Sequence, residues 1–516
     1  MVLLIHPPVC KPGEPPAGIA KLAGVLKHHG IRFNAVDMNL ETLTAMPAPD
    51  FPAEDTWSRR AYRHRFEHLD ALTRWPIYSH MSRYRRAVGD INRLLSIKGQ
   101  STGVHLSLNN YDDPDHRAVS SRELIQAAEF PEKNLFYDYF STRLTELMDL
   151  ESPGLVGVSL NFMSQAACTF AMTGFLKRRF PGIKIVLGGG LVTSWIRRPS
   201  WKNPFRGLVD DMIAGPGEGP LLNMLGKADS NPCHLPDYTP FTDGRYLAPG
   251  RILPYSASTG CYWNRCRFCP EKAENTPYQP ISPATAAQQI LTLADTCEPT
   301  LIHMTDNAVS PAVMKALVAL KQPVPWYGFA RFTRHLLDPD FCRELKRSGC
   351  VMLKLGVESG SQKVLDELEK GVKLDMMSAA LKQLKAAGIA AFVYLLFGTP
   401  AESPEEALQT LDFTVRHHDC ISFLNLAVFN LPVFAPDTAR LKTDAFYEGD
   451  LQLYRQFTHP GGWDRLQVRR FLDRQFKKHP AVAPILRNLP PHFSSNHAPL
   501  FVMARSQDTD GRQSTH

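Results

Sequence analysis

Apolar positions along the chain fall into two series of short strands alternating with helices, separated by a stretch without periodicity. In the first series Val2 to Ile5 is an apolar strand, and Ile19, Leu22, Ala23 and Leu26 then recur at i, i+3, i+4 and i+7 on one helical face. Gly30 stops that helix, and Phe33 to Val36 resumes as a strand. The pattern returns with strand Leu155 to Ser159, helix Gln165 to Phe180 ended by Pro181-Gly182, strand Ile183 to Leu187 and strand Leu208 to Ala214. This alternation predicts an α/β fold, with a doubly wound, Rossmann-like parallel sheet over residues 1–226. Residues 45–150 interrupt it as a mainly helical insertion.

The second series comprises strands Pro254 to Ser258, Thr300 to Met304, Pro325 to Phe329, Val351 to Gly356, Ala391 to Leu396 and Ile421 to Phe429. Helices such as Pro283 to Leu293 and Gln362 to Leu368 lie between them, which predicts a partial (β/α)6 barrel over residues 251–436. The Pro- and Asp-containing stretch 227–250 reads as a linker. Residues 437–516 read as a small, mainly helical accessory region packed on the barrel. Within it Phe493 to Pro499 reads as a turn, with Asn496 and His497 reaching a substrate as the alternative, and the polar residues after Ser506 read as disordered.

Composition adds bounds. A chain of 516 residues that is 44% hydrophobic can bury two or three cores. No apolar run approaches the roughly 20 residues that span a membrane, and Met1 to Pro8 is too short an apolar start for a signal peptide. Seven of the ten cysteines (Cys10, Cys168, Cys233, Cys297, Cys342, Cys350, Cys420) are scattered singly, which implies a reducing, cytoplasmic compartment. A net charge of +7 is mild for this length and does not call for nucleic acid. In the insertion, Arg59, Arg60, Arg63, Arg65, Arg74, Arg83, Arg85, Arg86 and Arg93 interleave with aromatics, a mixture that could hold a phosphorylated, nucleic-acid or acidic peptide partner. Glu67, Asp70 and Asp90 interrupt the run, and a solvated helical face is the favoured reading.

The remaining three cysteines, Cys261, Cys266 and Cys269, fall within nine residues in Gly-Cys-Tyr-Trp-Asn-Arg-Cys-Arg-Phe-Cys-Pro. Thiolates in such numbers suit soft or borderline metals and iron-sulfur clusters, and three ligands leave one position open. A structural zinc site needs a fourth ligand, and the next candidates, Cys297 and His303, are distant and apart. Inert core packing is the other bland alternative.

Spacing, the aromatic Phe268 before the third cysteine and a place after a strand make this loop similar to the cluster loop of the radical S-adenosylmethionine (SAM) enzymes. Four residues, Tyr262 to Arg265, separate the first two cysteines where the commonest family pattern has three, and this longer Cys-Tyr-Trp form resembles members that carry a cobalamin-binding domain. The resemblance implies a [4Fe-4S] cluster held by Cys261, Cys266 and Cys269, with SAM on the unique iron.

Other loops extend the resemblance. In doubly wound sheets ligands bind beyond the carboxyl ends of strands. There this chain has His6-Pro7-Pro8, Ser159-Leu160-Asn161, Gly188-Gly189-Gly190 and Gly215-Pro216-Gly217-Glu218-Gly219. Each alone reads as a tight turn. Together they resemble a cobalamin-binding domain, which implies contacts from His6, Pro7, Ser159, Asn161, Gly188, Gly189, Gly190, Gly215, Gly217 and Glu218. The Asp-x-His-x-x-Gly segment that supplies a cobalt ligand in many such domains is absent, and His6 is expected to line the pocket more than to ligate. On the barrel rim, Asp306, Asn307, Arg331, Glu358, Ser359, Gly398 and Pro400, with Phe268, are the expected SAM contacts, and Glu358 would meet the ribose.

The resemblance implies reductive SAM cleavage to methionine and a 5'-deoxyadenosyl radical, with cobalamin-dependent methyl transfer to an unactivated carbon of a small molecule or peptide. Flavodoxin or ferredoxin is the expected electron donor, and no membrane is involved. Two rivals stay open: radical cyclisation, rearrangement or peptide maturation without methyl transfer, and a non-enzymatic iron-sulfur redox sensor.

Overall fold

In a computed structural model, residues 1–45, 55–198, 201–229, 233–320 and 324–513 are described, with side chains to 506. The chain divides into two units, Met1–Arg251 with Tyr447–Leu453, and Ile252–Phe446 with Tyr454–His516.

The first unit is built on the strands whose apolar runs have both faces covered. β1 (Val2–His6), wholly buried, leads to α1 (Ala17–His28), β2 (Phe33–Asp37) and α2 (Met38–Ala45). The insertion holds α3 (Thr56–Arg63), α4 (Arg65–Leu72), α5 (Met81–Gln100), hairpin strands β3 (His105–Ser107) and β4 (Asn110–Asp112), α6 (Ser121–Glu129) and α7 (Tyr137–Glu151). The alternation resumes with β5 (Leu155–Ser159), α8 (Met163–Arg179), β6 (Lys184–Gly188), α9 (Gly190–Ile196), β7 (Asp211–Met212) and α10 (Glu218–Met224). The sheet is parallel in order β2-β1-β5-β6-β7, so connections leave in opposite directions at the β1/β5 boundary. That boundary is the topological switch point, where doubly wound sheets take ligands.

Two details differ from the expected elements. The strand expected over 208–214 shrinks to Asp211–Met212, an edge pair whose flanks carry Asp210 and the left-handed Gly207 (φ +87°). In the insertion, Asp90 is not a solvated interruption: it is 2% exposed and accepts from Trp57 Nε1 (2.7 Å) and Arg60 (3.2 Å), with His68 Nε2 3.0 Å away. One carboxylate thereby ties α3, α4 and α5 together. Residues 233–250 hold one short 3-10 helix (Thr239–Phe241) and belong to this unit.

The second unit follows sequence order. β8 (Ile252–Tyr255) is followed by β9 (Ser258–Thr259), α11 (Pro270–Ala273), β10 (Gln279–Pro280), α12 (Pro283–Cys297), β11 (Leu301–Met304), α13 (Pro311–Val318), β12 (Trp326–Ala330) and α14 (Pro339–Arg347). Then come β13 (Cys350–Glu358), α15 (Gln362–Glu367), α16 (Leu374–Ala386), β14 (Ala390–Phe397), α17 (Pro404–Arg416) and β15 (Phe423–Val428). Six strands pair in parallel as β8-β11-β12-β13-β14-β15, the order of an open (β/α) barrel. Helix starts are marked locally: Ser282 and Ser310 cap α12 and α13 with proline in the first turn, and Ser403 with Glu406 forms a capping box on α17.

The C-terminal part carries an antiparallel sheet of β16 (Leu431–Pro432), β17 (Thr443–Ala445) and β18 (Tyr454–Phe457), then α18 (Arg465–Phe471), α19 (Ala483–Arg487) and α20 (Ser494–Gln513). The turn expected at Phe493 to Pro499 is instead the start of α20, with His497 buried and its ring stacked on Phe493 at 4.2 Å. The tail expected to be disordered continues α20 to Gln513, and 514–516 lie outside the described residues. No helix among the described residues is long and apolar enough to cross a membrane.

Candidate active site

The cysteine loop leaves the carboxyl end of β8 and is closed at its base. β9 and β10 pair antiparallel across it, and Asp306, after β11, accepts from Ala257 N (3.0 Å) and Ser258 Oγ. Gly260 (φ +73°) turns the chain into the loop where a Cβ would lie 2.4 Å from Pro277 O, so only glycine fits. Asn264 takes a left-handed φ of 44° between the first two cysteines, and Cys269 N donates to Cys266 O at 3.2 Å before α11 begins.

A strap after α15 holds the loop from outside. Three successive carbonyls, Leu368, Glu369 and Lys370, accept from Arg267 N (3.0 Å), Trp263 Nε1 (3.1 Å) and Arg331 Nη2 (2.5 Å). Arg331 also lies 4.5 Å over the Trp263 ring and donates to Cys266 Sγ at 3.6 Å. Lys370 Nζ pairs with Glu358 Oε1 at 2.7 Å, both side chains buried, and sits 5.4 Å from the Phe268 ring. Phe268 packs on Phe429, Leu431 and Ala435.

None of the three thiols is in a disulfide. Burial pushes Cys269 up to about 11 and raises Cys266, while Lys370 and Arg331 pull Cys266 back toward the thiolate. A bound metal must displace these protons, which burial opposes and the neighbouring cations favour at Cys266. Within the loop, Tyr262 Oη and Asn264 Oδ1 are buried without a hydrogen-bond partner among the described residues. Orphaned polar atoms of this kind fit a ligand-bearing loop. The donor set, the open position and the cations therefore suit an iron-sulfur cluster.

The other rim residues divide. Asp306 is spent on closing the loop, Asn307 is exposed, and Arg331 is committed to the strap and Cys266. Glu358, left-handed at φ 63°, gives one oxygen to Lys370, while Ser359 is fully buried beside Thr410. Gly398 (φ +75°) donates to Glu402 Oε2 at 2.5 Å, an oxygen that also accepts from Trp463 Nε1 at 2.9 Å, and Pro400 follows partly exposed. Burial pushes the Glu402 carboxyl up to about 7.

Sequence reading missed Lys370, whose pairing depends on the strap, and Lys354. A lysine inside the apolar run of β13 was the available signal: Lys354 is 3% exposed, lies 3.0 Å from His303 Nε2, and has its ammonium 4.2 Å from the Phe329 ring.

In the first unit, His6, Pro7, Ser159 and Asn161 flank the switch point. Gln165 Nε2 donates to Pro7 O (2.7 Å), Asn161 Nδ2 to Ser159 Oγ (3.0 Å), and Gly190 N to Asn161 Oδ1 (3.0 Å). Gly189 (φ +106°) leaves no room for a side chain, since a Cβ would stand 2.4 Å from Leu160 O. Gly188 ends β6, Gly215 N donates to Thr193 Oγ1 at 2.9 Å, and Gly217 and Glu218 open α10. Burial lowers His6 and raises Cys10 well above the usual thiol range, so the two, 3.1 Å apart, are a neutral imidazole and a thiol. His6 Nδ1 is buried without a hydrogen-bond partner among the described residues.

Residues 255–414 match the Radical SAM superfamily. No curated protein sequence matches the chain. Among solved structures, the radical S-adenosylmethionine methyltransferase TsrM from Kitasatospora setae, with cobalamin and a [4Fe-4S] cluster bound, is similar at 16% identity and TM-score 0.50, over 85% of this chain and 74% of that one. The cobalamin-dependent S-adenosylmethionine radical enzyme OxsB, with aqua-cobalamin and S-adenosylmethionine bound, is similar at 14% identity and TM-score 0.52, over 99% of this chain and 61% of that one. At these identities the likeness is one of fold.

Proposed function

We propose that this chain, whose residues 255–414 form a radical SAM domain, is a cobalamin-dependent radical SAM enzyme that transfers a methyl group to an unactivated carbon of a small molecule or peptide. The observation that carries the reading is the triad Cys261, Cys266 and Cys269 on the loop after the first strand of a six-stranded parallel sheet, with Arg331 and Lys370 beside Cys266. The cobalamin part rests on the likeness of fold and on the switch-point loops of the first unit.

Cys261, Cys266 and Cys269 would hold a [4Fe-4S] cluster, and SAM would take the position they leave open. When bound, a reduced cluster would supply one electron to the SAM sulfonium, giving methionine and a 5'-deoxyadenosyl radical that takes a hydrogen atom from the substrate carbon, and cobalamin would carry to that carbon a methyl group drawn from a second SAM.

The chain's own residues do the positioning. Arg331 and Lys370 offset the negative charge of thiolate ligands, and the strap carbonyls hold Arg331 and Trp263 against the loop. Phe268, Phe429 and Leu431 keep water from one side. Gly398 is buried with its N–H given to Glu402, so it would shape the rim after β14 without offering that donor. In the first unit, His6, Pro7, Ser159, Asn161, the Gly188 to Gly190 turn, Gly215, Gly217 and Glu218 would line the cobalamin pocket, with His6 Nδ1 as the polar atom awaiting a partner. His6, buried and engaged with Cys10 through Nε2, would line the pocket with Nδ1 as its unpaired polar atom.

A low-potential flavodoxin or ferredoxin in the cytoplasm would supply the electron. The test is anaerobic reconstitution with iron, sulfide and cobalamin, followed by assay of 5'-deoxyadenosine for wild type and Cys266→Ala. Equal SAM cleavage by both proteins would refute the cluster assignment. Absence of label transfer from methyl-labelled SAM to a substrate that is consumed would refute methyl transfer alone.

A further inference from the structure

The first unit holds a second group of metal-ligand side chains, at the end of α1 and unrelated to the cysteine loop. His29 is the C-cap of α1, and Gly30 (φ +63°) turns the chain away behind it. His29 Nε2 lies 3.7 Å from Asp229 Oδ2, and His234 Nε2 lies 2.5 Å from the same oxygen. One ligand atom from each of these residues falls within 4.8 Å of the others. The side chains of His29, Asp229 and His234 are 17%, 14% and 5% exposed, so the ligand groups are largely shielded although Asp229 as a whole residue lies at the surface. The His28 ring adjoins both imidazoles, at 5.2 Å from His29 and 4.5 Å from His234.

A hydrogen bond between Asp229 and His234 accounts for part of this arrangement but leaves His29 unexplained. Its Nε2 is buried, has no hydrogen-bond partner among the described residues, and is too far from the carboxylate to make one. Ligands about 2.0–2.1 Å from a tetrahedral ion stand about 3.4 Å from one another. The two separations from Asp229 bracket that spacing, and a shift of about 1 Å in the carboxylate would satisfy it. Two imidazoles and one carboxylate select zinc-class ions over magnesium or calcium.

We infer that His29, Asp229 and His234 form a zinc-class divalent metal site with its fourth position left to water. The segment carrying His234 already lies along α1. Asp237 N donates to Ala20 O at 2.9 Å, Lys27 Nζ pairs with Asp237 at 3.2 Å, and Gly24 is so close to Leu235 O that a Cβ would stand 2.1 Å away. The ion would staple the stretch leading out of this unit to the end of α1 away from the switch point, because α1 runs back from the carboxyl end of β1.

The test uses the full chain carrying Cys261→Ala, Cys266→Ala and Cys269→Ala, so that the thiolate loop takes no metal. After chelator treatment this protein is titrated with Zn2+ alone by calorimetry, and its thermal melt is recorded with and without the ion. The expected result is one equivalent of zinc and a raised Tm, both lost in His29→Ala/His234→Ala. His29→Gln, a change at a helix end, and Asp229→Asn keep the test decisive if the double variant does not fold, since each should lose the zinc-dependent rise in Tm while melting like the parent without metal. Failure of the parent to bind zinc at micromolar concentration, or unchanged binding by His29→Gln, would overturn the site. The result is independent of the assignment of the cysteine loop.

Discussion

Gly371 and Trp263 touch in a way that only glycine permits: a Cβ on Gly371 would stand 2.0 Å from an indole carbon, and its backbone is left-handed at φ +69°. The contact presses the indole against Arg331 and into reach of Glu369 O. Gly371→Ala should therefore displace Trp263, at a cost of about 1–3 kcal/mol for overpacking plus the strained φ. Iron retained after reconstitution should fall, together with SAM cleavage. Trp263→Leu/Gly371→Ala should regain much of the lost Tm without regaining activity. An iron content in Gly371→Ala equal to wild type would show that the strap does not shape the loop.

The Glu358–Lys370 pair is buried on both sides, so removing one partner leaves a charge without compensation. Lys370→Met should destabilise the protein by about 3–5 kcal/mol, whereas Glu358→Leu/Lys370→Met should lie much closer to wild type. Chemical denaturation of the single and double variants measures the coupling directly. Additive losses would mean that the two side chains do not act as a pair.

Much of this site was legible in the chain because its signals are local. Cys261, Cys266 and Cys269 fall within one loop, and strands such as Val2–His6 and Leu301–Met304 are short apolar runs with both faces covered. The roles of single polar residues were not legible. Asp306 and Arg331 stand at strand ends as expected, yet one closes the loop and the other is held by Lys370 O, partners that only the fold brings near. Asp90 misled for the same reason, since three donors from two other helices gather on it. His497 reads as a turn residue beside Ser494, Ser495 and Pro499, but tertiary burial of Phe493 and His497 carries it into α20.

Gly189 offers a test of the first unit that leaves the cysteine loop alone. Any side chain there would meet Leu160 O at 2.4 Å and Asn161 Oδ1 at 2.9 Å, so Gly189→Ala should spread the β5 and β6 loops at the switch point. Under the proposed function, cobalamin retained through gel filtration, read from its visible absorption, should drop at least tenfold, equivalent to about 1.4 kcal/mol. Iron content should be unchanged. Full cobalamin retention by the variant would place the corrin elsewhere.

Glu402 gives the protein a pH dependence with a definite sign. Its carboxyl is 2% exposed, and burial lifts it from 4.5 to about 7 against the opposing hydrogen bonds from Gly398 N and Trp463 Nε1. The folded state therefore holds this proton more tightly than the unfolded chain does. The stability it contributes is complete below pH 4.5 and is lost as pH rises through about 7. The shift corresponds to about 3 kcal/mol. Glu402→Gln cannot ionise, and its carbonyl can accept from both donors, so the variant should match wild type near pH 5 and exceed it near pH 8. Denaturant melts of the two proteins at both pH values isolate this group, because every other titration cancels in the difference. A wild-type-minus-variant difference that stays constant from pH 5 to pH 8 would mean that Glu402 is ionised throughout and that its burial is offset by a cation that binds beside it.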